Sequence, residues 1–465
     1  MPAIAPEPQL VVRDPQQPKP TCATEAEAEA WAAEWFAGHT PKHHDPSLYL
    51  TLEGLLTQLR PEADGTPPPV RLLRLSWLEA WAQKVLAAPG VGLPLPRRQE
   101  LERNHPEAFL SEDQVVALPR GDDPDDTDQP LRLIALSHSW LTSAHPDPRG
   151  EQLVQFVEQV RHERRLCPRG PVDLTCACSW LCPLANPWLR DEQGRMVPWV
   201  AATLIGCYPA TIGMSQGCTC GCVPMLGQGC CRSATGFPTG EAAVFYDFAS
   251  LMQKDERGER TAAEKAAYGR ALDTMGAWYA HRLTTTFSMS VLPQGWDVTP
   301  YTERGWTSLE LAVSDFIKPS HPFSWRRLVD PAVVRRPESR PSAYRKPPLH
   351  PLDFAALLAR KKFPQPDSLL HLVLVDGQRD CELVAGIYAD TLRGTLGGVA
   401  DLEFESCGWG DEELEKLAQV LAFAEAAESI SLASNPRIGA QGLGVLAAVL
   451  REGAAPKLLK IKCDH

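Results

Sequence analysis

Apolar residues recur along this chain with two different spacings, and the order of those spacings predicts its elements. From 46 to 118 the spacing is helical, through SLYLTLEGLLTQLR, VRLLRLSWLEAWAQKVLAA and PRRQELERNHPEAFL. Leu72, Leu75, Trp77, Leu78 and Trp81 suit one amphipathic face, which predicts a small helical region ahead of the main domain. An acidic loop, GDDPDDTDQP at 121–130, separates the two. The apolar run LRLIALSHSW at 131–140 then breaks into polar residues, as a buried strand does on reaching a loop, and a helix is expected over about 150–165. AAVFYDFASL at 242–251 predicts a second strand, followed by the helix TAAEKAAYGRALDTMGAWYAHR. LTTTFSMSV predicts a third strand, followed by the loop LPQGWDVTPYTE and a helix over 304–317. Strand–helix three times over implies right-handed crossovers and a parallel sheet with helices on both faces. Ligands of such sheets bind beyond the carboxyl ends of the strands. Those ends carry Ser137, His138, Ser139 and Trp140 on the first strand, and Asp247 and Ser250 on the second.

The helix RGWTSLELAVSDFI at 304–317 contains an anomaly. At about 100° per residue, Trp306, Leu309, Val313, Phe316 and Ile317 share one arc, and Glu310 projects only about 20° from Ile317. A carboxylate facing a core is costly unless paired, protonated or put to use. Two readings follow: a structural border residue paired with an arginine such as Arg304, or a functional carboxylate.

The remaining chain divides by composition. Residues 1–45 start rich in proline, alanine and glutamate and are expected to be loose, 46–120 helical, and 121–318 the α/β domain. Residues 319–348 are rich in proline and arginine and read as a linker or basic strap. Residues 349–465 begin with a helical segment and end in an internal repeat. Leu402, Phe404 and Cys407 recur 28 residues later as Ile430, Leu432 and Asn435, and Leu459 and Ile461 follow after 29 more. With the helices DEELEKLAQVLAFA and AQGLGVLAAVLREG between them, these strand-plus-helix units resemble leucine-rich repeats of the ribonuclease-inhibitor type. Two and a half repeats need a neighbour to cover them, and the helical segment 349–392 is the expected one.

Charge and cysteine usage narrow the class. A net charge of −12 argues against a broad nucleic-acid or anionic-membrane footprint. No secretory signal is visible and the longest weakly polar run, 198–214, is interrupted by Pro209, so a cytoplasmic protein with reduced thiols is expected. Ten of the 14 cysteines crowd into 167–231. Thiolates at C-x-C and C-C spacing suit zinc. No C-x-x-C pair and no histidine accompanies them, so the reading is a Cys-rich insertion over 167–240 with no metal.

Four motifs in order carry a further resemblance. LSHSWL at 136–141, FYDFASLMQ at 245–253 with Asp247 and Gln253, the helix end with Met275, Trp278 and Tyr279, and Arg304, Trp306, Thr307 and Glu310 together resemble the heterokaryon-incompatibility (HET) domain, a relative of the TIR fold. His138, Leu141 and Ser250 stand where that pattern has tyrosine, glycine and cysteine. The resemblance implies a TIR/flavodoxin-like sheet in an intracellular signalling protein. It also implies a glutamate four residues after a tryptophan, here Glu310 after Trp306, that supports cleavage of NAD. On that reading NAD is a substrate rather than a bound cofactor. Glu310 is then catalytic, stabilising positive charge on the ribose. Trp140 or Trp306 stacks on a ring of the dinucleotide, or packs in the core. His138 and Asp247 bind ribose or phosphate, or fix loops as strand-end residues. Ser137, Ser250 and Arg304 complete the candidate site. The alternative class is a non-catalytic scaffold, with protein partners on the repeats and self-association through the TIR-like surface.

Overall fold

The computed structural model describes residues 12–13, 21–118, 132–142, 144–166, 240–318, 328–329, 345–363 and 377–463. The Cys-rich segment expected over 167–240 lies outside the described residues apart from Gly240, as does most of the linker. Strands are β1 (Val12–Arg13), β2 (Leu73–Arg74), β3 (Leu133–His138), β4 (Ala243–Phe245), β5 (Thr285–Met289), β6 (Trp296–Asp297), β7 (Leu328–Val329), β8 (Asp401–Glu403), β9 (Ser429–Ser431) and β10 (Lys460–Lys462). The longer helices are α1 (Glu25–Gly38), α2 (Leu75–Ala87), α3 (Glu151–Leu166), α4 (Ala262–Asp273), α5 (Met275–Ala280), α6 (Gly305–Ser314), α7 (Pro351–Ala359), α8 (Gly377–Gly398), α9 (Asp411–Val420) and α10 (Ala440–Arg451).

The protein is a mixed α/β chain built on a small, mostly parallel sheet. Its order is β2-β4-β3-β5-β7, with β4, β3, β5 and β7 parallel and β2 antiparallel to β4. All six residues of β3 are buried, as a central strand covered on both faces requires. Alternation along β3 sends its side chains into two different cores. Ile134 and Leu136 join Val244, Phe287, Leu78 and Phe156 beneath α2 and α3. Leu133 and Ala135 join Phe245, Trp278, Leu309 and Val313 beneath α5 and α6, in a core that continues through α8 into the C-terminal units. Among the described residues, no helix is long and apolar enough to cross a membrane.

Several elements differ from their sequence pattern. The run 242–251 is extended only as far as Phe245, and Asp247–Ser250 winds into a helical turn. There the Asp247 carboxylate accepts from the N–H of Phe248, and Ser250 Oγ accepts from the N–H of Tyr246. These local side-chain bonds compete with strand pairing. The long charged helix breaks at Thr274, whose hydroxyl bonds back to Arg270 O. Just beyond it, Gly276 leaves no room for a Cβ against Thr391, so α5 can lie close on α8. The region 46–118 is not purely helical, because β2 extends the main sheet. The segment expected to be loose contains α1, started by a capping box between Thr24 and Glu27 and packed through Ala28 and Ala32.

In the C-terminal units β8, β9 and β10 form a parallel sheet in which Leu402 sits opposite Ile430. Asn435 Nδ2 donates to Phe404 O and Leu432 O, while its Oδ1 accepts from the N–H of Trp409. The last unit is displaced. Ile461, rather than Leu459, faces Ile430, and Leu459 is 86% exposed. Arg345, expected in a linker, is buried: it donates to Asp315 O, Phe316 O and Glu403 O and lies over the Phe404 ring. It clamps the end of α6 to β8.

Candidate functional site

The period of two along β3 decides where the candidate residues go. Ser137 and His138 are neighbours in sequence, so they leave the strand on opposite faces. The expected single cleft is therefore two polar clusters, one on each side of the strand's carboxyl end.

On the α6 side, Ser137 Oγ donates to Glu310 Oε2 at 2.5 Å and shares a second hydrogen bond, 2.6 Å, with the Tyr301 hydroxyl. The Tyr279 hydroxyl also interacts with Glu310, and it donates to Leu136 O at 3.3 Å. Ser137 is fully buried and Glu310 is 6% exposed. Burial pushes the Glu310 carboxyl well above the usual carboxylate range, and the nearby Asp247 charge adds to this. Hydrogen bonds from Ser137 and Tyr279 oppose the shift without cancelling it. The environment therefore favours the protonated form of Glu310. No ion pair to Glu310 occurs among the described residues. Arg304, the arginine suggested as its partner, directs its Nε to Thr299 O at 2.8 Å. Trp306 is half-buried and packs against the apolar core of this face. Two hydroxyls and no cation surround the carboxyl.

On the α3 side, Asp247 collects the other candidates. Its Oδ1 accepts from His138 Nε2 at 2.9 Å and its Oδ2 from Trp140 Nε1 at 2.9 Å. Trp140 in turn meets Phe248 edge to face. Burial raises the Asp247 carboxyl, but the charge and hydrogen bond of His138, with those of Trp140 and the Phe248 N–H, outweigh it and hold it below the usual range. The His138 side chain is 2% exposed and that of Asp247 20%, so the carboxylate, with the partly exposed Trp140, meets solvent while the imidazole does not. Ser250 does not join it. Its hydroxyl turns inward, and its carbonyl accepts from Arg98 and from the N–H of Arg71.

Sequence reasoning missed four polar members of these clusters. Tyr301 comes from a 3-10 turn (Tyr301–Glu303) ahead of α6, a placement that residue spacing does not encode. Tyr246, Asp147 and Gln152 line the α3 side. Asp147 carried a readable signal, since an Asp just before an amphipathic helix is a common helix-start residue. Its Oδ2 accepts from the N–H of Leu153 in the first turn of α3. Among the described residues, no cluster of His, Cys, Asp and Glu could hold a metal ion. Comparison with family models, with curated proteins and with solved structures finds no match for this chain, so the chemistry of the site rests on its own geometry.

Proposed function

We propose that this chain is a HET/TIR-like signalling protein whose Glu310 site cleaves the nicotinamide–ribose bond of NAD. The Glu310 carboxyl carries this reading. It is buried at the carboxyl end of a parallel strand, and it is bonded to hydroxyls rather than neutralised by a cation. Structural carboxylates facing a core are ordinarily paired with one. A positively charged nicotinamide ring brought beside it would favour its ionised form. The hydroxyls of Ser137 and Tyr301 offer a path for the departing proton. The resulting carboxylate would stabilise the oxocarbenium-like ribose as the bond breaks. Trp140 and the partly exposed Asp247, on the other face of the same strand end, would contact the rest of a dinucleotide that passes over that end. Strand–helix units β8 to β10, read as leucine-rich repeats, would serve as a docking or sensing surface for protein partners.

Incubating the purified full chain with NAD, dilute and concentrated, tests this through nicotinamide release. Glu310→Gln keeps the shape and removes the charge, so turnover should fall by about 100- to 1000-fold, the scale of losing one preorganised electrostatic group. A wild type that releases no nicotinamide at either concentration sinks the enzyme reading. It would leave the second one, a non-catalytic scaffold that self-associates through its TIR-like surface. The closure of protein around Ser137 and Glu310 favours that alternative.

A further inference from the structure

Among the described residues, five buried polar atoms at the α3 side of β3 have no hydrogen-bond partner: His138 Nδ1, Ser139 Oγ, Asp147 Oδ1, Gln152 Oε1 and Tyr246 OH. Their side chains are neighbours. The His138 and Tyr246 rings meet edge to face at 4.6 Å. Gln152 Nε2 donates to Ser139 O and Pro146 O, both at 2.8 Å, which holds its amide against the backbone next to Ser139 and Asp147. Asp147 interacts electrostatically with both His138 and Tyr246. None of these atoms hydrogen-bonds another although their side chains are close, the situation that a bridging molecule relieves.

Magnitude decides against leaving them bare. An unsatisfied buried polar atom costs about 1–3 kcal/mol, so five would cost about as much as the whole stability of a typical domain, about 5–15 kcal/mol. Chemistry decides what fills the space. His138 Nε2 faces the Asp247 carboxylate, which leaves Nδ1 to meet the interior, and Gln152 Oε1 is an acceptor. The hydroxyls of Ser139 and Tyr246 both donate and accept. Burial pushes the Asp147 carboxyl above its usual range, although N–H groups of the first turn of α3 pull it down. The set mixes hydroxyls, which donate, with an amide oxygen and a carboxyl, which accept, so neither an anion nor a hard cation matches all of it. It suits water, which does both.

We propose that His138, Ser139, Asp147, Gln152 and Tyr246 form a buried hydration site whose ordered water joins Asp147 to the His138–Asp247 pair. Water at Nδ1 holds the His138 ring with Nε2 turned to Asp247. Asp147 thereby acts as a positioning residue for the partly exposed carboxylate. This inference does not depend on NAD cleavage.

The test uses the full chain. Magnetic relaxation dispersion of water should detect long-lived internal water, and the imidazole ¹⁵N shifts of His138 should show Nδ1 accepting a hydrogen bond. Asp147→Asn keeps an acceptor for the Leu153 N–H but alters the group facing the water, and Tyr246→Phe removes one hydroxyl. Either variant should shift the Nδ1 resonance and lower the relaxation amplitude while the circular dichroism stays native. If Asp147→Asn fails to fold, Tyr246→Phe carries the comparison. Identical ¹⁵N shifts and amplitude in wild type and variant would overturn the proposal. So would resonances that move when sodium is exchanged for potassium at constant ionic strength, the mark of a bound cation.

Discussion

On one face of β3, Ser137 links the Tyr301 hydroxyl to the Glu310 carboxyl, and Tyr279 adds another hydroxyl. On the other face, His138 and Trp140 converge on Asp247 while five nearby polar atoms lack a partner among the described residues. The first cluster buries a carboxyl among hydroxyls that its surroundings push toward the protonated form, while the second holds a partly exposed carboxylate toward the ionised form. Two residues adjacent in sequence thus open onto environments of opposite electrostatic character. The carboxylates answer pH in opposite senses. Glu310 holds its proton in the folded chain above about pH 4.3, where an unfolded glutamate loses it, so its contribution to stability falls as pH rises through that window. Asp247 stays ionised below the usual range, so its contribution is present above about pH 3.9 and is lost as pH falls.

The largest expected effect comes from breaking the solvent-facing cluster. Asp247→Leu removes the acceptor for both His138 and Trp140 and strands a buried imidazole N–H. It should lower the unfolding free energy by about 2–3 kcal/mol, read by urea denaturation at pH 7, the partial exposure of Asp247 keeping the loss below that of a fully buried pair. Ser137→Ala breaks the closed cluster by taking a partner from Glu310 and from Tyr301, and should cost about 1–2 kcal/mol in the same measurement. An unchanged denaturation midpoint in Ser137→Ala would mean that the hydroxyl chain holds nothing together.

Smaller effects sharpen the contrast. Glu310→Gln should match wild type most closely in acid and gain on it as pH rises above about 4.3, where the unfolded glutamate ionises and the folded one is held toward its protonated form. Melting temperatures of the two proteins across that range check this, and a constant difference would show that Glu310 is ionised when folded. Ser139→Ala deletes a hydroxyl that has no partner among the described residues and would bond only the inferred water, so it should cost less than Ser137→Ala, about 0.5–1 kcal/mol. Ser137→Ala and Ser139→Ala remove the same atom two residues apart, and the gap between them measures what protein partners add at the end of β3.

Local pattern was enough to read the order of the main elements. The six buried residues of β3, the helix after it and the helix bearing Glu310 follow from periodicities of 2 and 3.6, which are properties of the local chain. The 28-residue spacing of Leu402 and Ile430 was likewise legible, because a repeated unit repeats its apolar positions. Element ends were less so. Asp247–Ser250 turned helical and the helix after it broke at Thr274, since single side-chain-to-backbone bonds decide such points.

The sequence by itself determined that a carboxylate at position 310 would meet a core, and that Ser137 and His138 would end a buried strand. Tertiary structure alone decided which groups meet them. Arg304 lies six residues from Glu310, yet its Nε turns to Thr299 O, while Ser137 reaches Glu310 from 173 residues away. Asp247 finds His138 across 109 residues. Periodicity reports which face a side chain leaves by. The partner it finds there depends on how sheet and helices stack, and hydrogen bonds form only within about 3 Å, a distance that no local pattern encodes.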